Sequence, residues 1–155
     1  MVTTTGVSDL TSISVETRIE ASAEAVWAVL TDFASYPQWN PLIRQFKGNL
    51  ALGAKVEVVL QPDGSRPSTY RPTIVELERG SSFACLGHTI VRGVFDGRHR
   101  FELRSDGKAP VLKQSESFEG VLVPLLKGTL AGAERGFRKM NEVVKQRAEA
   151  GARVS

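Results

Sequence analysis

Apolar and polar residues alternate at period two from 13 to 19 (Ile-Ser-Val-Glu-Thr-Arg-Ile), which predicts a half-buried strand. Ser22 then offers an N-cap, with Glu24 in the first turn where the helix dipole favours an acid. Val26, Leu30 and Phe33 recur at helical spacing, so 22–33 is predicted as an amphipathic helix. The segment Tyr36-Pro37-Gln38-Trp39-Asn40-Pro41 ends it. A residue before proline is pushed out of the helical region, which leaves room for at most one short helical turn. From 42 to 119 six strands are predicted, at 42–47, 55–61, 69–78, 82–90, 94–104 and 111–119. Turn chemistry such as Pro62-Asp63-Gly64-Ser65 separates them, so the run reads as an antiparallel meander.

A long helix is predicted over 123–149. Leu126, Leu130, Ala133, Phe137, Met140 and Val144 share one stripe, with Lys127, Glu134, Arg138, Glu142 and Lys145 opposite. Gly128, Gly132 and Gly136 form a second row beside the stripe. Each costs ~1 kcal/mol against alanine inside a helix, so the row needs a reason. Close backbone packing is one, room for a ligand is the other, and the pattern leaves both open. The order of strand, helix, break, six strands and long helix implies an α+β domain. Its seven-stranded antiparallel sheet would curve around the C-terminal helix, with one or two short helices after the first strand. A curved sheet over a glycine-notched helix predicts a gap between them. Residues 1–11, rich in Thr, Ser and Gly, read as a flexible lead-in; 12–150 form the single domain and 151–155 a tail.

The length of 155 residues suits one domain, and 41% apolar with 24% charged residues excludes disorder, collagen and coiled coil. A net charge of +3 raises nucleic-acid binding as a question. The basic residues are dispersed among acids and no recognition motif accompanies them, so no nucleic-acid partner is expected. The longest apolar runs, at 25–30 and 121–126, fall far short of the ~20 residues of a spanning helix, so no stable membrane insertion is expected. Residues 1–10 lack both Lys/Arg and an apolar stretch, unlike a signal peptide, and the single cysteine Cys85 fits a reducing compartment. A cytoplasmic location is the resulting expectation. Oligomeric state is not legible.

Strand alternation places His99 on the apolar face with Phe95, Phe101 and Leu103, while Arg98, Arg100, Glu102 and Arg104 face water. A histidine there is a candidate acid or base, or a core histidine satisfied by one hydrogen bond. In the last strand Leu112, Gln114, Glu116 and Phe118 share the apolar face, and a carboxyl there must be neutralised, paired or wet. Glu116 can pair with His99 across adjacent strands, either as acid and base or as a structural contact closing one end of a cavity. Trp39 is a candidate plug for the cavity mouth, and the Asn40 amide a candidate for fixing the turn. Tyr70 precedes a strand proline and could orient a polar ligand, although its facing is ambiguous. Cys85 and His88, three apart on a strand, point to opposite faces, and His99 lacks further ligands at metal spacing, so no metal is expected. Nucleophile-elbow, Walker and dinucleotide motifs are absent, and no cofactor is expected.

The stretch 19–33 (Ile-Glu-Ala-Ser-Ala-Glu-Ala-Val-Trp-Ala-Val-Leu-Thr-Asp-Phe), followed by Tyr36-Pro37-Gln38-Trp39-Asn40-Pro41, resembles the opening of the polyketide cyclase/dehydrase-like family of the SRPBCC (START-like) superfamily. The segments 97–103 and 114–120 are similar to that family's last two strands. The resemblance spans about 13–149 and implies a helix-grip fold with a deep cavity. It also implies binding or carriage of a small hydrophobic molecule, lipid-like, aromatic or polyketide-like. Where many relatives carry a histidine in the last strand this chain has Gln114, which argues against acid–base work at that position. Three functions follow. The first is a non-catalytic carrier whose cavity is lined by Trp39, Phe95, His99, Phe101, Gln114, Glu116, Leu130, Ala133, Phe137 and Met140. The second is a cyclase, dehydratase or aromatase using His99 and Glu116 as acid and base. The third is an interaction module acting by its surface, without a ligand.

Overall fold

The computed structural model describes the backbone of residues 2–5, 10–89, 95–105, 107–120 and 127–154. Its elements are β1 (Val2–Thr5), β2 (Leu10–Arg18), α1 (Ala23–Thr31), α2 (Tyr36–Trp39), β3 (Ile43–Lys47), β4 (Glu57–Leu60), β5 (Ser68–Tyr70), β6 (Thr73–Glu78), β7 (Ser82–Thr89), β8 (Phe95–Ser105), β9 (Pro110–Glu119) and α3 (Lys127–Val154). A short 3-10 turn, Phe33–Ser35, joins α1 to α2. One antiparallel sheet runs in the order β1-β2-β9-β8-β7-β6, and a second in the order β3-β4-β5. Backbone bonds from Gly53 and Val56 to the carbonyls of Ile74 and Pro72, and from Ile74 to Ala54, knit the two along one side. The result is the expected α+β fold, a large antiparallel sheet with a long C-terminal helix against it.

Two differences carry the strand count from the expected seven to nine. The strand read as 69–78 is two, because Pro72 has no N–H to continue a ladder. There the chain leaves β5 of the small sheet and enters β6 of the large one. The expected lead-in 1–11 contains β1, whose backbone pairs with β2 from Val2 opposite Ile13 to Thr5 opposite Leu10. At the other end α3 continues through the expected tail to Val154. The expected start of that helix at 123–126, with Leu126 of its stripe, lies outside the described residues.

Ser22 caps α1 as anticipated, its Oγ accepting from the Ala25 N–H at 3.1 Å. Of the two pre-proline residues, Asn40 is extended (φ −75°, ψ 116°) and ends the helix. Tyr36 is not: it keeps helical angles (φ −52°, ψ −42°) with Pro37 in the first turn of α2. Asn40 fixes the turn, its Oδ1 accepting from the N–H groups of Leu42 and Ile43 at 3.0 and 2.8 Å.

The core forms where α3 meets β2 and β9. Phe137, Met140, Val144 and Ala148 bury one face of the helix against Ile13, Val15, Ile19 and Leu112. Buried Asn141 on the same helix donates to the Val15 carbonyl and Thr17 Oγ1. An aromatic cluster of Phe33, Tyr36, Phe46, Phe83 and Phe101 continues it, with Phe33 stacked on Phe46 at 3.8 Å between centroids. Val75, one of few exposed large apolar side chains, sits at the bulge where the β6–β7 register shifts between Ile74 and Glu76. Among the described residues no helix is long and apolar enough to cross a membrane.

The glycine row separates into two cases. A Cβ on Gly136 would lie 2.8 Å from Leu42 Cδ1, so here the glycine serves close packing. A Cβ on Gly132 would meet only the Arg135 guanidinium, at an ordinary 3.7 Å. Gly132→Ala is therefore expected to stabilise the protein by about 1 kcal/mol through helix propensity. Gly136→Ala gains the same propensity but overpacks buried Leu42, at a cost of about 1–3 kcal/mol. Urea unfolding of both variants checks the order, and a Gly136 variant as stable as the Gly132 variant would contradict the packing contact.

Candidate functional site

Register builds the site. In the β8–β9 pair His99 stands directly opposite Glu116, and in the β7–β8 pair Cys85 stands opposite His99. Side chains in register on neighbouring strands share a face, so Cys85, His99 and Glu116 form a row across the sheet. All three line a cavity of about 420 Å³. Its opposing wall is apolar and comes from β3 and β4, with Ile43, Phe46, Val58 and Leu60, while Ala133 of α3 reaches in. Residues 62–70 form a polar mouth with Ser65, Arg66, Ser68 and Tyr70, the last 40% exposed.

Gly87 and Gly97 face each other across β7 and β8 and leave a bare stretch of sheet on the cavity wall. Gly97 has a further use. A Cβ there would sit 2.9 Å from Glu116 Oε1, so the carboxyl rests in space that a side chain would occupy.

The His99 and Glu116 side chains are 13% and 17% exposed, and His99 Nδ1 lies 3.7 Å from Glu116 Oε2. That contact is longer than a hydrogen bond. His99 Nε2 is buried with no described partner. Burial penalises the charged form of each: it pushes the imidazole down to about 4 and the carboxyl up to about 7. Near neutral pH the imidazole is uncharged and the carboxyl is close to its midpoint. The two are neighbouring polar groups in an apolar wall, not a committed ion pair. Burial, with a smaller contribution from Glu116, raises the Cys85 thiol to about 12. A thiol so held is a weak nucleophile.

The sequence-based face assignments hold along β8. His99, Phe101 and Leu103 point inward, and the guanidinium groups of Arg98 and Arg100 bind Glu76 on the outer face. Of the residues expected to line a cavity, His99, Phe101, Glu116 and Ala133 do. Gln114 does not: it is wholly buried beneath the cavity, with Nε2 donating to the Met140 sulfur at 3.2 Å and Oε1 without a described partner. Met140 and Phe137 belong to the same packed layer, Phe137 lying against the His99 ring at 4.8 Å between centroids. Trp39 is no plug at the mouth. Its indole donates to Ser35 Oγ, stacks edgewise on Tyr36 and carries the Arg147 guanidinium 5.2 Å above it. Side chains of Phe95 and Leu130 lie outside the described residues.

Sequence reasoning missed the β3–β4 wall and the mouth arginine. The segments 42–47 and 55–61 were legible as strands, but not what they cover. His88 points away from Cys85, as its spacing required, and bonds Asp96 Oδ1 at 2.7 Å. No group of three or more His, Cys, Asp or Glu among the described residues is placed to hold a metal.

A profile described as polyketide cyclase / dehydrase and lipid transport matches residues 11–150. The chain is similar in structure to the aromatase/cyclase ZhuI from Streptomyces sp. R1128, with TM-score 0.72 at 16% identity over 90% of this chain and 94% of that one. It is similar also to a START superfamily protein from Mycobacterium smegmatis, with TM-score 0.67 at 19% identity over 90% of this chain and 97% of that one. Against the di-domain ARO/CYC StfQ of the steffimycin biosynthetic pathway the TM-score is 0.71 at 10% identity; 92% of this chain spans about half, 52%, of that one. At such low identities these TM-scores show a shared helix-grip fold and no more. No curated protein matches in sequence.

The proton positions make stability depend on pH with opposite signs. A raised Glu116 value means the folded chain keeps a proton that the unfolded chain loses near 4.5, so this contribution falls as pH rises toward about 7. The lowered His99 value makes the folded chain the weaker proton binder, so its contribution grows as pH rises from about 4 to 6.5. Glu116→Gln removes the first alone. Relative to wild type, the variant is expected to gain stability as pH rises through that window, by at most about 1.4 kcal/mol per pH unit. Urea midpoints across the range check this, and a difference that does not vary with pH would mean the carboxyl is not buried.

Proposed function

Since the chain belongs to the polyketide cyclase/dehydrase and lipid transport family, we propose that it binds a small hydrophobic molecule in the cavity between the large sheet and the β3–β4 wall, beside Ala133 of α3. The supporting observation is the cavity itself, about 420 Å³ with a mainly apolar lining and the His99–Glu116 row on one wall. That volume lies in the range of pockets that enclose drug-sized ligands, and a few convergent polar groups are what orient a ligand in such a pocket. An uncharged imidazole and a protonated carboxyl together offer a donor and an acceptor. They suit a hydroxyl or carbonyl on the inner end of the ligand.

One observation favours a second, catalytic reading. A carboxyl held near 7 can both give and take a proton at neutral pH, which is the requirement for acid–base work in a cyclase or aromatase. Acetylacetone in deuterated water is a suitable probe, because exchange of its central hydrogens needs only a base beside an apolar pocket. Catalysis by Glu116 would raise the exchange rate as pH increases through about 7, and Glu116→Gln would abolish the increment. A rate equal to buffer alone would leave binding as the function.

Binding is tested by native mass spectrometry of the purified protein beside the same sample after denaturing extraction, and by titration with an aromatic fluorophore, anilinonaphthalene sulfonate. Ala133→Phe places a ring in the cavity and is expected to weaken fluorophore binding at least about tenfold, or about 1.4 kcal/mol. Its melting temperature should stay close to wild type, since the ring enters empty space. Undiminished binding by a folded variant would place the fluorophore elsewhere and sink this reading.

A further inference from the structure

We propose that the molecule held in the cavity carries an oxyanion head, bound at the mouth by Arg66, with its apolar body directed inward past Phe46 and Phe101 toward His99. This rests on the reading of the cavity as a binding site and goes beyond it by fixing the ligand's charge and direction.

Arg66 belongs to the connection between β4 and β5 and lines the cavity beside Ser65 and Ser68. No described residue forms an ion pair or hydrogen bond with its side chain, whereas Arg71, Arg98, Arg100 and Lys139 are each held by a carboxylate. The nearby acids are committed elsewhere. Asp63, three residues back in the same connection, pairs with Lys139 of α3, and Glu57 pairs with Arg71 at 3.2 Å. Among the described residues the one acid lining the cavity is Glu116. It sits in the buried wall, where burial favours its uncharged form. The mouth therefore presents a positive charge that no described residue neutralises.

Guanidinium offers a planar fork of donors that fits a carboxylate or phosphate through two parallel bonds. The Ser65 and Ser68 hydroxyls stand beside it as further donors. The inner end excludes the opposite orientation, because an anion pushed against Glu116 would meet an apolar wall and a carboxyl that resists charge. Head outward and body inward is the arrangement both ends allow. The shared chemistry is an oxyanion on an apolar body, whether the carboxylate of a free acid or a phosphate ester.

Decanoate, decyl phosphate and decanol are compared by calorimetric titration near pH 6, on wild type, Arg66→Gln and Arg66→Lys. Arg66→Gln is expected to weaken one or both anions about fivefold, the size of an exposed ion pair, and to leave decanol unchanged. Arg66→Lys should retain part of the preference, and added salt should erode it in wild type. The anion that loses more identifies the head group. If Arg66→Gln affects all three probes equally, or none while decanol still binds, the inference is overturned and the cavity reading stands. If none of the three binds wild type while Ala133→Phe also leaves the fluorophore unaffected, the cavity reading falls and this inference with it.

Discussion

The contact between the Phe137 ring and the His99 imidazole divides the interior in two. On one side of it Met140, Val144 and Ala148 fill the space between α3 and the sheet completely. On the other side, among the described residues, the helix offers Ala133, and the β7–β8 wall and the β3–β4 wall stand apart across the cavity. Sheets twist whereas a helix runs straight over a few turns, so a helix packed closely along one stretch of a sheet diverges from it along the next. Phe137 belongs to the packed side, its ring against that of His99, which does line the cavity.

That arrangement explains the unusual state of the polar pair. His99 is stacked between Phe137 and Phe101, at 4.8 and 4.7 Å, so two aromatic faces exclude water from it. Glu116, its cross-strand neighbour, lies back over Gly97 and shares the same dry wall. Among the described residues neither finds a charged partner at hydrogen-bond distance. Near neutral pH the imidazole is uncharged and the carboxyl close to its midpoint, so the site can offer hydrogen bonds with the carboxyl in either state.

Period-two alternation made the row of His99 and Glu116 legible in the sequence, because facing and register depend on parity alone. Depth does not depend on parity. Gln114 and Glu116 share a face, yet one is sealed under Met140 and the other borders open space, a difference set by how far α3 reaches along the strand. The division at Pro72 was available as a signal, since proline inside a strand pattern demotes it. Turn residues at 62–65 and 79–81 bound the run on both sides, which made it read as one strand. Arg66 carried no signal at all. An isolated arginine in a polar turn resembles any solvated cation until the fold sets it beside an apolar hollow.

The division at Pro72 also bears on the edge of the large sheet. β6 ends the large sheet and would present a row of unpaired backbone groups, the usual template for edge-to-edge aggregation. Gly53, Ala54 and Val56 take up the carbonyls and N–H of Pro72 and Ile74 instead, and proline itself has no donor to offer. The bend beside the cavity mouth thereby covers the start of this edge and shortens the stretch of β6 that another strand could extend.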